Sequence, residues 1–284
     1  MAEKKRTKVT IKKLLDKKKR GEMVTSIGVY DSPMTAIADE IGFDLLINGN
    51  AGPMSLLGHP DPLTVTFEEQ LILTKAVSRV AKYGMVIGHM PFMSYATADV
   101  AIRNAGRMTA EGGADAVKCE GTRFTANTIA EIVYAGVPVM GHIGMQAQRK
   151  HEQSGFGFKG KTAQEAADIV ADARALHKAG VFAFIIEYVP VEITEYLVKT
   201  LPVPIISVGA GPSADGMYLI SGDAVGYSAF PRPKNEASFV DVRPIIAEGL
   251  SAYKEHTLNK KYPGSEFTMN MDKEEHKKFL DIVH

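Results

Sequence analysis

Five side chains in this sequence are of types that move protons or hold ions, and each closes a short apolar run. Glu187 ends the run in FAFIIEYVP (182–190), Lys118 and Glu120 stand two apart in AVKCEG, and His89 and His142 end GMVIGH and VPVMGH. Burial among apolar neighbours penalises the charged form of Glu187 and raises its pKa, which makes a carboxylate a general base near neutral pH. A structural pairing of Glu187 with Lys118 or an arginine is the other reading. Residues two apart on a strand share a face, so Lys118 and Glu120 together offer a cation for a substrate carboxylate and an anion for a metal or a proton. Two histidines and Glu120 can make a two-His, one-carboxylate metal face, or each His can simply hydrogen-bond. Asn50 adds an amide where the run DLLINGNAGPM (44–54) breaks, a place where a strand presents its last polar residue to a ligand.

Positioning such groups requires strands that end together. Eight apolar runs bounded by Gly, Pro or Asp recur: 23–30, 44–48, 84–89, 115–120, 137–142, 181–188, 204–209 and 223–228. Helical patterns lie between most of them, notably 66–84, 97–113 and 161–180, with Thr66 and Glu69 as a capping box and Gly84, Gly112 and Gly180 as stops. Strands buried on both faces read as continuous apolar runs, as these do. Eight strand–helix repeats predict an α/β protein of the (β/α)8 TIM-barrel class rather than a doubly wound sheet, with ligand groups at the strands' C-terminal ends. The single barrel domain is expected over about 22–235 of residues 1–284. A helix over 10–20, capped by Thr10, closes its bottom, and C-terminal helices over 237–254 and 271–282 flank the loop KKYPGSEF. The glycine-rich GAGPSADG (209–216) is expected to lead into a helix, either as a phosphate-binding turn or as a tight turn with Ser213 as the helix cap.

Composition narrows the class. The 284 residues are 45% apolar and 23% charged with a formal charge of zero, so no global field favours nucleic acid or an anionic membrane. Ten bases against two acids in residues 1–20 read as a solvated surface helix. A single cysteine, Cys119, excludes an internal disulfide, and no apolar stretch approaches the roughly 18 residues of a spanning helix. A cytoplasmic location, with neither nucleic-acid nor membrane partners, is the expectation.

Between Val9 and Gly226 the motifs VYDSPMTAIADEIGFD (29–44), LGHPDPLTVT (57–66), MPFMSYAT (90–97), AVKCEG (116–121), GVPVMGHIGMQAQ (136–148), IIEYVP (185–190) and VGAGPSADG (208–216) follow in order. In this the chain resembles the ketopantoate (3-methyl-2-oxobutanoate) hydroxymethyltransferase family of the phosphoenolpyruvate mutase and isocitrate lyase superfamily. The resemblance implies a (β/α)8 barrel, a homo-oligomer, often a decamer, and a magnesium site. It implies a transferase that passes a hydroxymethyl group from 5,10-methylenetetrahydrofolate to a small 2-oxo acid through an enolate, in the pantothenate pathway. Glu187 would be the base, Lys118 would contact the 2-oxo acid, Glu120 would lie at the metal, and His142 would line the substrate pocket.

Departures from the family pattern cluster at that site. The family's GDS reads Gly49-Asn50-Ala51, its DxPF begins with His89, a Tyr–His pair before Thr74 is Ile72-Leu73, and the glutamine of VQG is Lys159. The set Asn50, His89 and Glu120 carries about −1 where three carboxylates carry −3, which weakens magnesium and favours zinc, another transition metal, or no metal, with His89 and Lys118 then facing a carbonyl. Asn50, Ala51, His89, Lys118 and His142 are thus the expected substrate-binding residues, and Asn50, His89 and Glu120 the candidate metal set. Three other outcomes stay open: a diverged lyase, hydrolase or decarboxylase acting on another 2-oxo or dicarboxylic acid, a barrel that only binds a metabolite, and a Schiff base on Lys118.

Overall fold

A computed structural model describes residues 6–228, 230, 231 and 237–284, so the expected barrel boundary near 235 lies outside the described residues. Eight parallel strands close into a barrel in chain order: β1 Val24–Gly28, β2 Leu45–Asn48, β3 Met85–His89, β4 Ala116–Glu120, β5 Val139–Gly144, β6 Ala183–Glu187, β7 Ile205–Val208 and β8 Gly216–Ile220, with β8 returning to pair with β1. Helices α1 Ile11–Arg20, α2 Ser32–Ile41, α3 Ala51–Leu57, α4 Phe67–Ser78, α5 Ala98–Ala110, α6 Ala126–Tyr134, α7 Ala163–Lys178, α8 Val191–Thr200 and α9 Ser221–Ala224 complete this unit, residues 1–239. Residues 240–284 form a second compact unit, with α10 Arg243–Leu258 and α11 Lys273–Val283. Within it, Tyr262 packs edge-on against Tyr253.

The period of two along each strand sorts the core. Leu45, Ile47, Met85, Ile87, Ala116, Met140, Ala183, Ile185 and Ile206 pack inside the barrel, while the alternate residues Leu46, Val86, Val117, Val139, Phe184 and Ile186 pack in the cluster shared with the helices. Continuing that parity puts His89, Lys118, Glu120, His142 and Glu187 inward at the C-terminal mouth.

Thr10 caps α1 by accepting from the Lys13 amide at 3.4 Å, and Leu14 enters the inner core with Val24, Leu45 and Met85. Lys17 pairs with Asp44 at 2.5 Å and Lys18 with Asp215 at 2.6 Å, fixing the helix under the barrel floor. The Thr66–Glu69 capping box is present, and a second one, Thr162–Glu165, opens α7.

Three expectations fail. The run 223–228 is not a strand: Ser221–Ala224 is a helical turn and β8 begins seven residues earlier, at Gly216. A side chain at Gly216 would stand 2.3 Å from the Val24 carbonyl, so glycine is what lets β8 close on β1. Nor does GAGPSADG lead into a helix. It turns through Gly209 and Gly211, both with positive φ, directly into β8, and Ser213 Oγ donates to Glu195 Oε1 at 3.1 Å instead of capping. At the C-terminal end, 271–282 matches α11 closely, but α10 starts at Arg243 rather than 237.

Candidate active site

Strand registers place the expected groups on neighbouring staves: His89 opposite Lys118, Glu120 opposite His142, and Glu187 opposite Gly144. Of these, Lys118, His142 and Glu187 line a cavity of about 590 Å³ together with Asn50 and Ala51, whereas His89 and Glu120, against expectation for His89 as a substrate contact, do not reach it. Tyr188, Phe156 and Phe158 supply aromatic wall, the last two from the loop after β5.

One chain of contacts crosses the cavity floor. Lys118 Nζ stands 3.1 Å from His142 Nδ1, and since an ammonium only donates, Nδ1 accepts. The imidazole proton is therefore on Nε2, 3.0 Å from Glu187 Oε2, though outside good hydrogen-bonding alignment. Burial, and then the neighbouring ammonium, push His142 down to about 3, so it stays neutral. Burial raises Glu187 to about 7 against the opposing pull of Lys118. Burial likewise lowers Lys118, with Glu120 and Glu187 opposing. His142 thus separates an ammonium from a carboxylate, and among the described residues no direct ion pair joins them.

The backbone holds Glu187 tightly. Its carbonyl accepts from the Met145 amide at 2.8 Å, and Tyr188 after it adopts φ +46, a strained value for a residue with a side chain. Tyr188 is secured by its amide on the Val208 carbonyl and by an edge-on contact with Phe158, ring centroids 5.4 Å apart.

Asn50, His89 and Glu120 do come together, behind the cavity wall, through Gln148, a residue absent from the set expected on sequence. Gln148 donates from Nε2 to the Met90 carbonyl at 2.8 Å, approaches His89 Nε2 at 2.5 Å and reaches Asn50 Oδ1 at 3.4 Å. Its main-chain amide donates to Glu120 Oε2 at 2.9 Å, while Asn50 Nδ2 donates to Glu120 Oε1 at 3.2 Å. Tyr95 OH fixes the other end of the carboxamide, donating to Gln148 Oε1 at 2.9 Å. Burial raises Glu120 and holds His89 well below the usual imidazole range. The sequence marks Gln148 only weakly: it is the second of two glutamines in GMQAQ, just past the end of β5 in a largely polar loop.

Three departures from the family pattern settle elsewhere. Lys159 does not enter the cavity and ties its own loop, donating to the carbonyls of Gln153 and Gly155. Ile72 faces solvent, and Leu73 is buried. Apart from these departures, Asn48, which ends β2, turns out of the mouth, where Gln70 and Thr74 satisfy it.

The donor set fits magnesium poorly. Magnesium requires near-octahedral oxygen ligation, usually with carboxylates, and here one carboxylate has both oxygens engaged beside a neutral imidazole. Among the described residues no group of three His, Cys, Asp or Glu side chains is arranged to hold a metal ion.

A closed parallel barrel with a buried carboxylate, a lysine and a neutral imidazole at its C-terminal mouth has the layout of a TIM-barrel enzyme, whose site lies at the strand ends. The sequence pattern of the ketopantoate hydroxymethyltransferase family matches residues 8–265, and the chain belongs to that family. A 3-methyl-2-oxobutanoate hydroxymethyltransferase of Moorella thermoacetica is 38% identical over 262 residues, 92% of this chain and 97% of that protein. By fold, the chain is similar to 2,3-dimethylmalate lyase, a PEP mutase/isocitrate lyase superfamily member (TM-score 0.57, 16% identity, 96% of this chain and 99% of the other). It is also similar in fold to phosphonopyruvate hydrolase in complex with oxalate and Mg²⁺ (TM-score 0.58, 14% identity, 97% of this chain and 98% of the other). Among the described residues no helix is long and apolar enough to cross a membrane.

Proposed function

We propose that this chain transfers a hydroxymethyl group from 5,10-methylenetetrahydrofolate to 3-methyl-2-oxobutanoate, as a cytoplasmic homo-oligomeric enzyme of pantothenate synthesis. One observation carries the reading: Glu187, a carboxylate with proton affinity near neutrality, shares a small cavity with the Lys118 ammonium and is kept from pairing with it by His142. Glu187 takes the proton from C3 of the 2-oxo acid, and the electron pair moves into the C2–C3 bond and onto the C2 oxygen. Lys118, on the wall of the same cavity, faces the resulting negative charge as a fixed cation. Water releases the one-carbon unit from tetrahydrofolate as formaldehyde, C3 bonds to its carbon, and the alkoxide so formed takes back the proton held by Glu187 to become the hydroxyl. His142 stands between the two, its Nδ1 accepting from the ammonium while its Nε2 lies beside the carboxylate. No step is routed through a metal.

The test is turnover: both substrates are supplied and ketopantoate is followed by mass spectrometry. Product from the wild type, and none from Glu187→Gln, is expected; a Glu187→Gln variant with wild-type turnover would assign the base elsewhere. A second reading follows from Asn50, Ala51 and His89, where this site departs from the family: a lyase, hydrolase or decarboxylase acting on another 2-oxo or dicarboxylic acid. Ketopantoate synthesis that stays absent after Asp is restored at positions 50 and 89 would favour it.

A further inference from the structure

We infer that this site forms its enolate without a divalent cation, because Gln148 ties up the acceptors that a cation would need; the inference rests on the proposed 2-oxo acid chemistry. The orientation of the carboxamide is fixed by chemistry. The Met90 carbonyl can only accept, so the nitrogen of Gln148 must face it, and the Tyr95 hydroxyl meets the oxygen. The same nitrogen lies 2.5 Å from His89 Nε2, so the imidazole lone pair at that position is spent on an N–H. An imidazole ligates metal through such a lone pair, and its other nitrogen is sealed from solvent with the rest of a ring that is 0% exposed. Glu120 has one oxygen on the Asn50 amide and the other on the Gln148 main chain.

Asn50 Oδ1, at 3.4 Å, is the slackest link, because the two hydrogens of the Gln148 amide are already directed at Met90 and His89. To admit a cation the carboxamide would have to leave Met90, His89 and Tyr95 together. The charge left behind is poor compensation: Glu120 is the one anion of the set, and Lys118, two residues before it on the same inward face of β4, opposes a second positive charge. Lys118 is itself the cation nearest the base, on the cavity that Glu187 lines. Proton removal by Glu187 leaves the electron pair on the C2 oxygen, which the ammonium faces, so charge balances with protein groups alone.

The test uses the intact protein and two independent readouts. Chelator-treated wild type is titrated with Mg²⁺, Mn²⁺ and Zn²⁺ by calorimetry, and C3 hydrogen–deuterium exchange of 3-methyl-2-oxobutanoate is followed by NMR with and without EDTA. We expect no stoichiometric metal binding and an exchange rate that EDTA leaves unchanged. Stoichiometric binding, or a fall of about 10²-fold or more on chelation with recovery on adding one of the ions, would overturn the inference, since a site-bound cation contributes strongly to such a transition state. Exchange absent under every condition would sink the substrate reading, while the titration would still decide the cation question. The Asn50→Asp/His89→Asp variant, checked for folding by its thermal melt, supplies carboxylates that outcompete the Gln148 amide and should gain saturable Mn²⁺ binding; failure to gain it while folded would overturn the assignment of the exclusion to these donors.

Discussion

Replacing Glu187 with Gln should stabilise the barrel above pH 7 while stopping its chemistry. The folded carboxyl titrates near 7 against an ordinary value of 4.5. A folded pKa above the unfolded one means that the native state holds the proton more tightly. Its contribution is therefore fully present below pH 4.5, is lost as pH rises through 7, and is absent above it. The rise from 4.5 to about 7, at about 1.36 kcal/mol per pH unit, sets a ceiling of about 3.5 kcal/mol on the penalty that the ionised side chain imposes at pH 8. Gln has the same shape and no charge, so it escapes that penalty, but it also deprives Lys118 of a nearby anion, which returns part of the gain. A net stabilisation of about 1–2 kcal/mol at pH 8, shrinking toward zero by pH 5, is expected. Urea unfolding of both proteins at the two pH values measures it. The decisive quantity is the change in the difference between them: equal destabilisation of the variant at pH 5 and pH 8 would refute the claim that Glu187 is a strained, buried base.

Two further outcomes test the scaffold. Gly144, at φ +86, abuts the Glu187 backbone, and a Cβ there would lie 2.3 Å from the Glu187 carbonyl oxygen; Gly144→Ala should lower turnover by about 10²-fold by displacing the base, measured as kcat at saturating substrate. Leu14→Ala, which empties the barrel floor beneath Leu45 and Met85, should cost about 2–5 kcal/mol in urea unfolding and leave KM unchanged.

The strand parity that aims Lys118 and Glu120 into one mouth is legible in the sequence because a period of two needs no tertiary information. Glu187 is legible because a carboxylate inside FAFIIEYVP is costly to bury unless it is paired or put to use. Strand eight is hidden for a physical reason. A glycine-rich turn followed by a helix is a common pairing, so GMYLI reads as part of that helix, and nothing local shows that β7 and β8 can be joined by seven residues when Gly216 permits close contact with Val24. Gln148 is hidden because its importance lies in partners distant in sequence: Asn50 from the β2 end, His89 and Met90 from the β3 end, Tyr95 and Glu120. An amide in a loop declares none of these. The insulating place of His142 is equally hidden, since its residue type allows ligation, acid–base work or spacing, and the distances to Lys118 and Glu187 choose among them.

The most direct test of the central claim is the pH dependence of C3 hydrogen–deuterium exchange of 3-methyl-2-oxobutanoate, followed by NMR in D₂O for the wild type and Glu187→Gln. If Glu187 is the base, the wild-type rate rises about tenfold per unit below pH 7 and levels off above it, because only the ionised carboxylate accepts the proton, and the variant loses about 10²–10⁴-fold on that plateau and lacks the pH dependence. A wild-type profile flat between pH 5 and 8, or a variant that exchanges as fast as the wild type, would contradict it.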